Sequence, residues 1–258
     1  ISDPVFNFFI FLSIYFAFRT GYNSKSLRMA IFSGLFLGLA VLTNGLAAII
    51  PVLLCLLIYW IWNKGKMSVR LPHLGLIVLF SFVPTLVWLG YEIIAHGWSF
   101  AKEFTVYQLQ LPATAVGGYS GPIYYYWAIL LIGCFPASAF LFTYLQGKKK
   151  TIYATPAAIE TKDFKVWMWV LFWVALLLFS IMQTSAVHYF SLCYLPLSFL
   201  AAWQVYRFSE RKQRLHGWSI AVLLFLGILL GLAITLLPLA GVYREMLTPY
   251  IGRQFAVT

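Results

Sequence analysis

The feature that most constrains this chain is a series of long apolar runs almost free of charge. A helix crossing a bilayer needs about 17–25 consecutive, mostly apolar residues. Runs of that kind fall at about 4–18, 29–43, 46–62, 74–95, 123–145, 166–183, 187–206 and 218–240, the first two being short. None alternates apolar and polar with the period of two that a barrel strand requires. Composition agrees: 62% of the 258 residues are hydrophobic, only 10% are charged, and mean hydropathy is +0.86. So little charge does not keep a soluble domain dispersed. The expected fold is therefore all-α, a single polytopic transmembrane bundle of about eight spans over 1–258.

The net charge of +11 first suggests nucleic acid, but its distribution argues otherwise. Segments 19–28, 63–73, 146–165 and 207–217 hold 15 of the 18 basic residues and, less Glu160, Asp163 and Glu210, carry +12. The opposite set of segments holds Lys102, Arg244 and Arg253 against Asp3, Glu92, Glu103 and Glu245, a net of −1. Basic loops on alternate sides mark the cytoplasmic face of a multi-pass protein. The charge is thus topology, and no nucleic-acid partner is expected. Trp60, Trp62, Trp167 and Trp169 fall at inner helix ends, and Trp98 and Trp127 near the outer surface, as interfacial aromatics do.

Several features read as architecture. Cys55, Cys134 and Cys193 each lie inside an apolar run without metal-ligand spacing, as small buried hydrophobes. Pro51, Pro84, Pro136, Pro196 and Pro238 loosen individual helices, and Gly34/Gly38 and Gly227/Gly231 have the small-xxx-small spacing of close helix packing. No ionisable residue stands at the centre of a span, which disfavours ion-coupled transport. The chain opens at Ile1 and enters an apolar run by about residue 5 without a basic leader, and is read as part of a longer protein.

On the side with few basic residues, polar groups collect in four places: "ISDPVFNFF", the tight "LTNGLA" turn, the long "HGWSFAKEFTVYQLQLPATAVGGYSGPIYYYW" segment and "QTSAVHY". Two of these are very short turns, so their polar groups belong at the height of lipid head groups. A site there can join a lipid-borne group to something outside the membrane.

Taken in order, these stretches resemble one family. "SDPVFNFFIFLSIYFAFR", "GLFLGLAVLTNGLAAIIPVLL", "FTVYQLQLPATAVGGYSGPIYYYWAILLIGCFPAS" and "FSIMQTSAVHYFSLCYLPLSFLAAW" are similar to segments of the GT-C membrane glycosyltransferases. The relatives meant are bacterial ones of the protein O-mannosyltransferases and lipid A aminoarabinose transferases. The resemblance runs from Asp3 to about Trp203. It implies an enzyme at the outer face of the inner (plasma) membrane of the cell envelope. Such an enzyme takes a sugar from a polyprenyl-phosphate donor and passes it to a lipid, glycan or protein acceptor. It also implies a catalytic carboxylate in a first outer loop, which would precede Ile1.

Each candidate residue carries a plainer reading beside the functional one. Asp3, before Pro4, suits a helix N-cap; the resemblance makes it a second acidic group near a metal or sugar. Asn44, before Gly45, suits a turn; relatives have lysine there, which meets phosphate as a point charge. Gln110 stands where relatives have arginine and Tyr119 where they have histidine, so Lys102 becomes the remaining cation for the donor phosphate, unless it is a solvated lysine beside Glu103. Tyr107 and Gln108 share that donor-binding segment. Gly117, Gly118 and Gly121 make it pliable, and Tyr124, Tyr125 and Tyr126 suit an aromatic belt or a sugar platform. His188 lies with Gln183, Ser185 and Tyr189 in the last turn, at the place of the family's His-Tyr pair. A neutral imidazole there can hydrogen-bond phosphate or a sugar hydroxyl, or ligate a metal, and uncharged polar groups are the cheapest to hold at that depth. A divalent cofactor would find oxygen at Asp3 if hard, or nitrogen at His188 if zinc. Two rivals remain: a ligase or polymerase acting on polyprenyl-linked glycans, and a non-catalytic lipid-handling protein such as a flippase subunit.

Overall fold

The computed structural model describes residues 2–22, 26–62, 69–100, 102–104, 106, 123–140, 156–181, 191–211 and 217–242. Among these the protein is all-α. Its helices are α1 (Ser2–Arg19), α2 (Ser26–Asn44), α3 (Ile49–Trp62), α4 (Leu71–His96), α5 (Ile123–Gly133), α6 (Pro156–Ile181), α7 (Ser191–Arg211) and α8 (Gly217–Val242). Two stretches, Ser26–Trp62 and Leu71–His96, are long and apolar enough to cross a membrane; Pro4–Arg19 and Ile220–Leu236 are apolar but shorter.

Helix α1 forms the axis. Phe6, Ile10, Ile14, Ala17 and Phe18 are all buried, the spacing of one helical face. Phe16 stacks on Phe36, Phe9 meets Phe36 at a tilt, and Phe16 also meets Phe32. The Ser33 hydroxyl donates to the Ser13 carbonyl at 2.8 Å. Residue numbers fall on α1 as they rise on α2, so the two helices are antiparallel. Against α2 packs α4, brought close by glycine. A methyl group on Gly34 would sit 2.5 Å from the Ile77 carbonyl oxygen, and one on Gly38 would collide with the Ser81 carbonyl and with Pro84. Both pairs advance by four, so α2 and α4 run parallel. Helix α7 returns antiparallel to α6, with Phe199 edge-on to Phe164 and the Cys193 thiol facing the Phe172 carbonyl at 4.0 Å.

The C-terminal ends of α1, α3 and α7 meet the start of α6 in one aromatic and ionic cluster. Phe18 and Tyr59 both pack on buried Trp167. The Arg19 guanidinium donates to Glu160, and the Tyr22 hydroxyl donates to Asp163. Lys165, buried, lies 4.3 Å from the centre of the Trp203 ring. Partial burial and then the Asp163 carboxylate push the Tyr22 phenol far above its usual range, so it remains a hydrogen donor.

This cluster accounts for the largest difference from the sequence expectation. Helix α6 begins at Pro156, about ten residues ahead of the apolar run expected from 166. Hydropathy sees only the apolar part, whereas Glu160 and Asp163 are held in helix by partners on and just beyond α1. The run expected over 123–145 is also interrupted. Helix α5 ends at Gly133 and a turn occupies 134–136, where Pro136 cannot supply the backbone N–H that a continuing helix needs. At α3 the expected start at 46 becomes 49, because Gly45–Ala48 form a 3-10 turn.

Arg19→Glu sets two carboxylates against each other across the α1–α6 contact. Its side chain and that of Glu160 are 34% and 30% exposed, so solvent screening limits the loss to about 1–2 kcal/mol. Thermal unfolding in detergent should show a lowered midpoint for Arg19→Glu, with at least partial recovery in the Arg19→Glu/Glu160→Arg swap.

Candidate functional site

The bundle end opposite the ionic cluster collects the start of α1, the α2–α3 turn, the end of α4 and the start of α7. One contact ties two of these together. Asn7, in the second turn of α1 and only 2% exposed, donates from Nδ2 to the Ser191 hydroxyl at 2.6 Å. Ser191 is the first residue of α7. Burying an amide among apolar helices is unfavourable unless it finds hydrogen-bond partners. A bond between membrane helices contributes on the order of 0.6–2 kcal/mol. Stability alone is therefore a weak reason for asparagine to stand where leucine would pack.

Asp3 precedes Asn7 by one helical turn on α1; its side chain lies outside the described part. Asn44 closes α2 at backbone angles of −148° and 27°, and Gly45 follows at φ 78°. That angle favours glycine and explains the Asn-Gly pair as a chain reversal. The Ser13–Ser33 register, carried along two antiparallel helices, sets Asn44 level with the first turn of α1, where Asp3 stands.

Lys102 reaches this level by an unexpected route. After His96 the chain reverses at Gly97, φ 80°, and residues 98–100 and 102–104 fold back along α4. Phe100 packs on His96 and Trp88, and Phe104 lies 4.7 Å from Trp88 between ring centres. Trp88 is eight residues before His96, about 12 Å down the helix. The Gly38–Ser81 register places Trp88 level with Gly45. The segment carrying Lys102 thus returns to the height of Asn44, while Lys102 and Glu103 stay exposed. Glu92 is paired with His96, Oε2 to Nδ1, at 2.8 Å, which favours its reading as a helix-surface residue.

Tyr107, Gln108, Gln110, Tyr119, Gln183, Ser185, His188 and Tyr189 lie outside the described residues. Among the described residues no three His, Cys, Asp or Glu side chains come together as a metal site.

Sequence reasoning passed over Asn7 because it sits inside a run counted as apolar. Its signal was there: an amide four residues after Asp3, on the face of α1 that also carries buried Ile10 and Ile14. Compared with protein-family models, curated proteins and solved structures, the chain matches none.

Proposed function

We propose that this chain spans the membrane with about eight helices and works as a glycosyltransferase on the non-cytoplasmic face, taking a sugar from a polyprenyl-phosphate carrier. The carrying observation is the sorting of groups between the two bundle ends. Arg19, Glu160, Asp163 and Lys165 gather at one end, with the basic segments. Asn7, Ser191, Asn44 and the segment of Lys102 gather at the other. The relative directions of α1, α2, α4, α6 and α7 are compatible with a reading in which basic segments share one side. Outward faces support a lipid environment: on α4, Leu79, Leu86 and Ile94 are 63%, 64% and 89% exposed, and on α8, Phe225 and Ile234 are 66% and 71% exposed. Water would not tolerate so continuous an apolar surface.

In the proposed reaction an acceptor oxygen bonds to the anomeric carbon of the donor sugar as the bond from that carbon to the phosphate oxygen breaks. The acceptor proton passes to a carboxylate, which the family resemblance places in a first outer loop. The electron pair leaves with polyprenyl phosphate, whose charge Lys102 neutralises while Asn44 donates hydrogen bonds. Asp3 and His188, with Gln183, Ser185 and Tyr189, orient the sugar. Tyr107, Gln108, Gln110 and Tyr119 border the donor. Asp3 and His188 are also the groups a divalent cation would use, and the described residues offer no other set; no step here depends on one.

Full-length protein in membrane vesicles, offered a panel of radiolabelled polyprenyl-phosphate sugars, should move label onto an outer-face acceptor. Reporter tags in the segments 19–28 and 207–217 should read cytoplasmic, and a tag in 97–122 should read external. Silence with every donor, or a reversed tag pattern, sinks the proposal. Polymerisation of polyprenyl-linked glycans in the same vesicles would instead favour the ligase or polymerase rival.

A further inference from the structure

We propose that Asn7 is a positioning residue, acting through Ser191 to hold the first turn of α7 against the second turn of α1 so that the outer vestibule keeps one geometry. This rests on the transferase reading and extends it to two residues outside the candidate set. The 2.6 Å bond joins residues 184 apart in sequence and ties the first turn of α7 to the second turn of α1. Phe6, Ile10 and Ile14, also buried on α1, are apolar, and contacts of that kind tolerate small slides and rotations. A hydrogen bond does not, because it weakens steeply with distance and angle. Polar pairs inside helical assemblies serve register more often than stability. Asn7 sits one turn below Asp3, and Ser191 opens the helix that follows the Gln183–Tyr189 stretch. A slip between α1 and α7 therefore shifts the first turn of α7 against the first two turns of α1, where Asp3 stands, and near-attack geometry is sensitive to displacements of about 1 Å.

The test separates position from stability. Asn7→Val, within about one methylene of asparagine in volume and without a hydrogen-bonding group, should unfold in detergent within about 2 °C of the parent or above it, since interhelical bonds in membranes contribute little net stability. In vesicles the same variant should lower kcat about 10-fold while donor KM moves less than about 3-fold, the pattern of a transition-state interaction lost. Ser191→Ala should do the same. The swap Asn7→Ser/Ser191→Asn, which remakes the bond in reverse, should recover a large part of kcat. Activity that falls only in proportion to folded protein, or a swap no better than the single variants, overturns the positioning role and leaves the transferase reading standing. A parent that transfers no sugar from any donor overturns both.

Discussion

Asp3→Asn and His188→Ala are each expected to lower sugar transfer by about 10²–10³-fold, the usual cost of removing a group that handles a proton or steadies developing charge. The asparagine substitution is chosen for its helix chemistry. Helix α1 begins at Ser2, so Asp3 stands inside the first turn rather than at the N-cap expected from sequence, and Asp3→Asn removes only the charge that meets the helix dipole, worth about 0.3–1 kcal/mol. A plain helix-end role predicts full activity and a midpoint lowered slightly at most in Asp3→Asn. A functional role predicts the same midpoint and the transfer lost. For His188 the companion is His188→Gln, which keeps a hydrogen-bonding group but can neither titrate near neutral pH nor ligate zinc well. Activity retained in His188→Gln but lost in His188→Ala assigns the imidazole to hydrogen bonding with sugar or phosphate. If Asp3→Asn and His188→Ala transfer sugar as well as the parent, the site is elsewhere.

Gly38→Leu is expected to leave little folded protein, and Gly38→Ala to lower the unfolding midpoint clearly. In a solvent-facing helix, alanine would be the better residue by about 1 kcal/mol. Here the added methyl group meets the Ser81 carbonyl, Pro84 Cδ at 2.8 Å and Pro84 Cγ at 2.9 Å. A carbonyl in the middle of a helix and a proline ring cannot rotate aside, so α4 must move off α2. Overpacking of that kind costs about 1–3 kcal/mol for a small insertion and more for a large one, exceeding the propensity gain. Gly34→Ala should act alike, its methyl group lying 2.5 Å from the Ile77 carbonyl oxygen. Among the described residues nothing lies within 4 Å of a methyl group placed on Gly231, and one on Gly227 would meet the tip of the Phe135 ring at 3.4 Å. Alanine at those two sites should be neutral or mildly stabilising. Equal midpoints for all four alanine variants would show that the α2–α4 contact is looser than described here.

That the apolar runs are helical was legible, because they lack the period of two that strands would show and are long enough for several helical turns. Starts and stops were less so. The polar turns of α6 at Glu160 and Asp163 looked like loop until Arg19 and Tyr22 were found against them. The break at 134–136 needed Pro136 to act as a stop rather than a kink, a choice that local sequence leaves open. Of the candidate site, Asn44 and Lys102 could be named from sequence but not brought to one height. That depends on the reversal at Gly97 and the packing of Phe104 on Trp88, two contacts with no periodic signature.

Hydropathy, a sum over many residues, determined by itself that this chain is helical and rich in apolar helix faces. It survives small errors at any position. Which helices touch was decided only in three dimensions, where α2 lies parallel to α4 through Gly34 and Gly38 and α1 is tied to α7 through Asn7 and Ser191. Such pairings turn on single atoms meeting or clashing within a few tenths of an ångström, and apolar runs of similar composition are interchangeable until those atoms are placed.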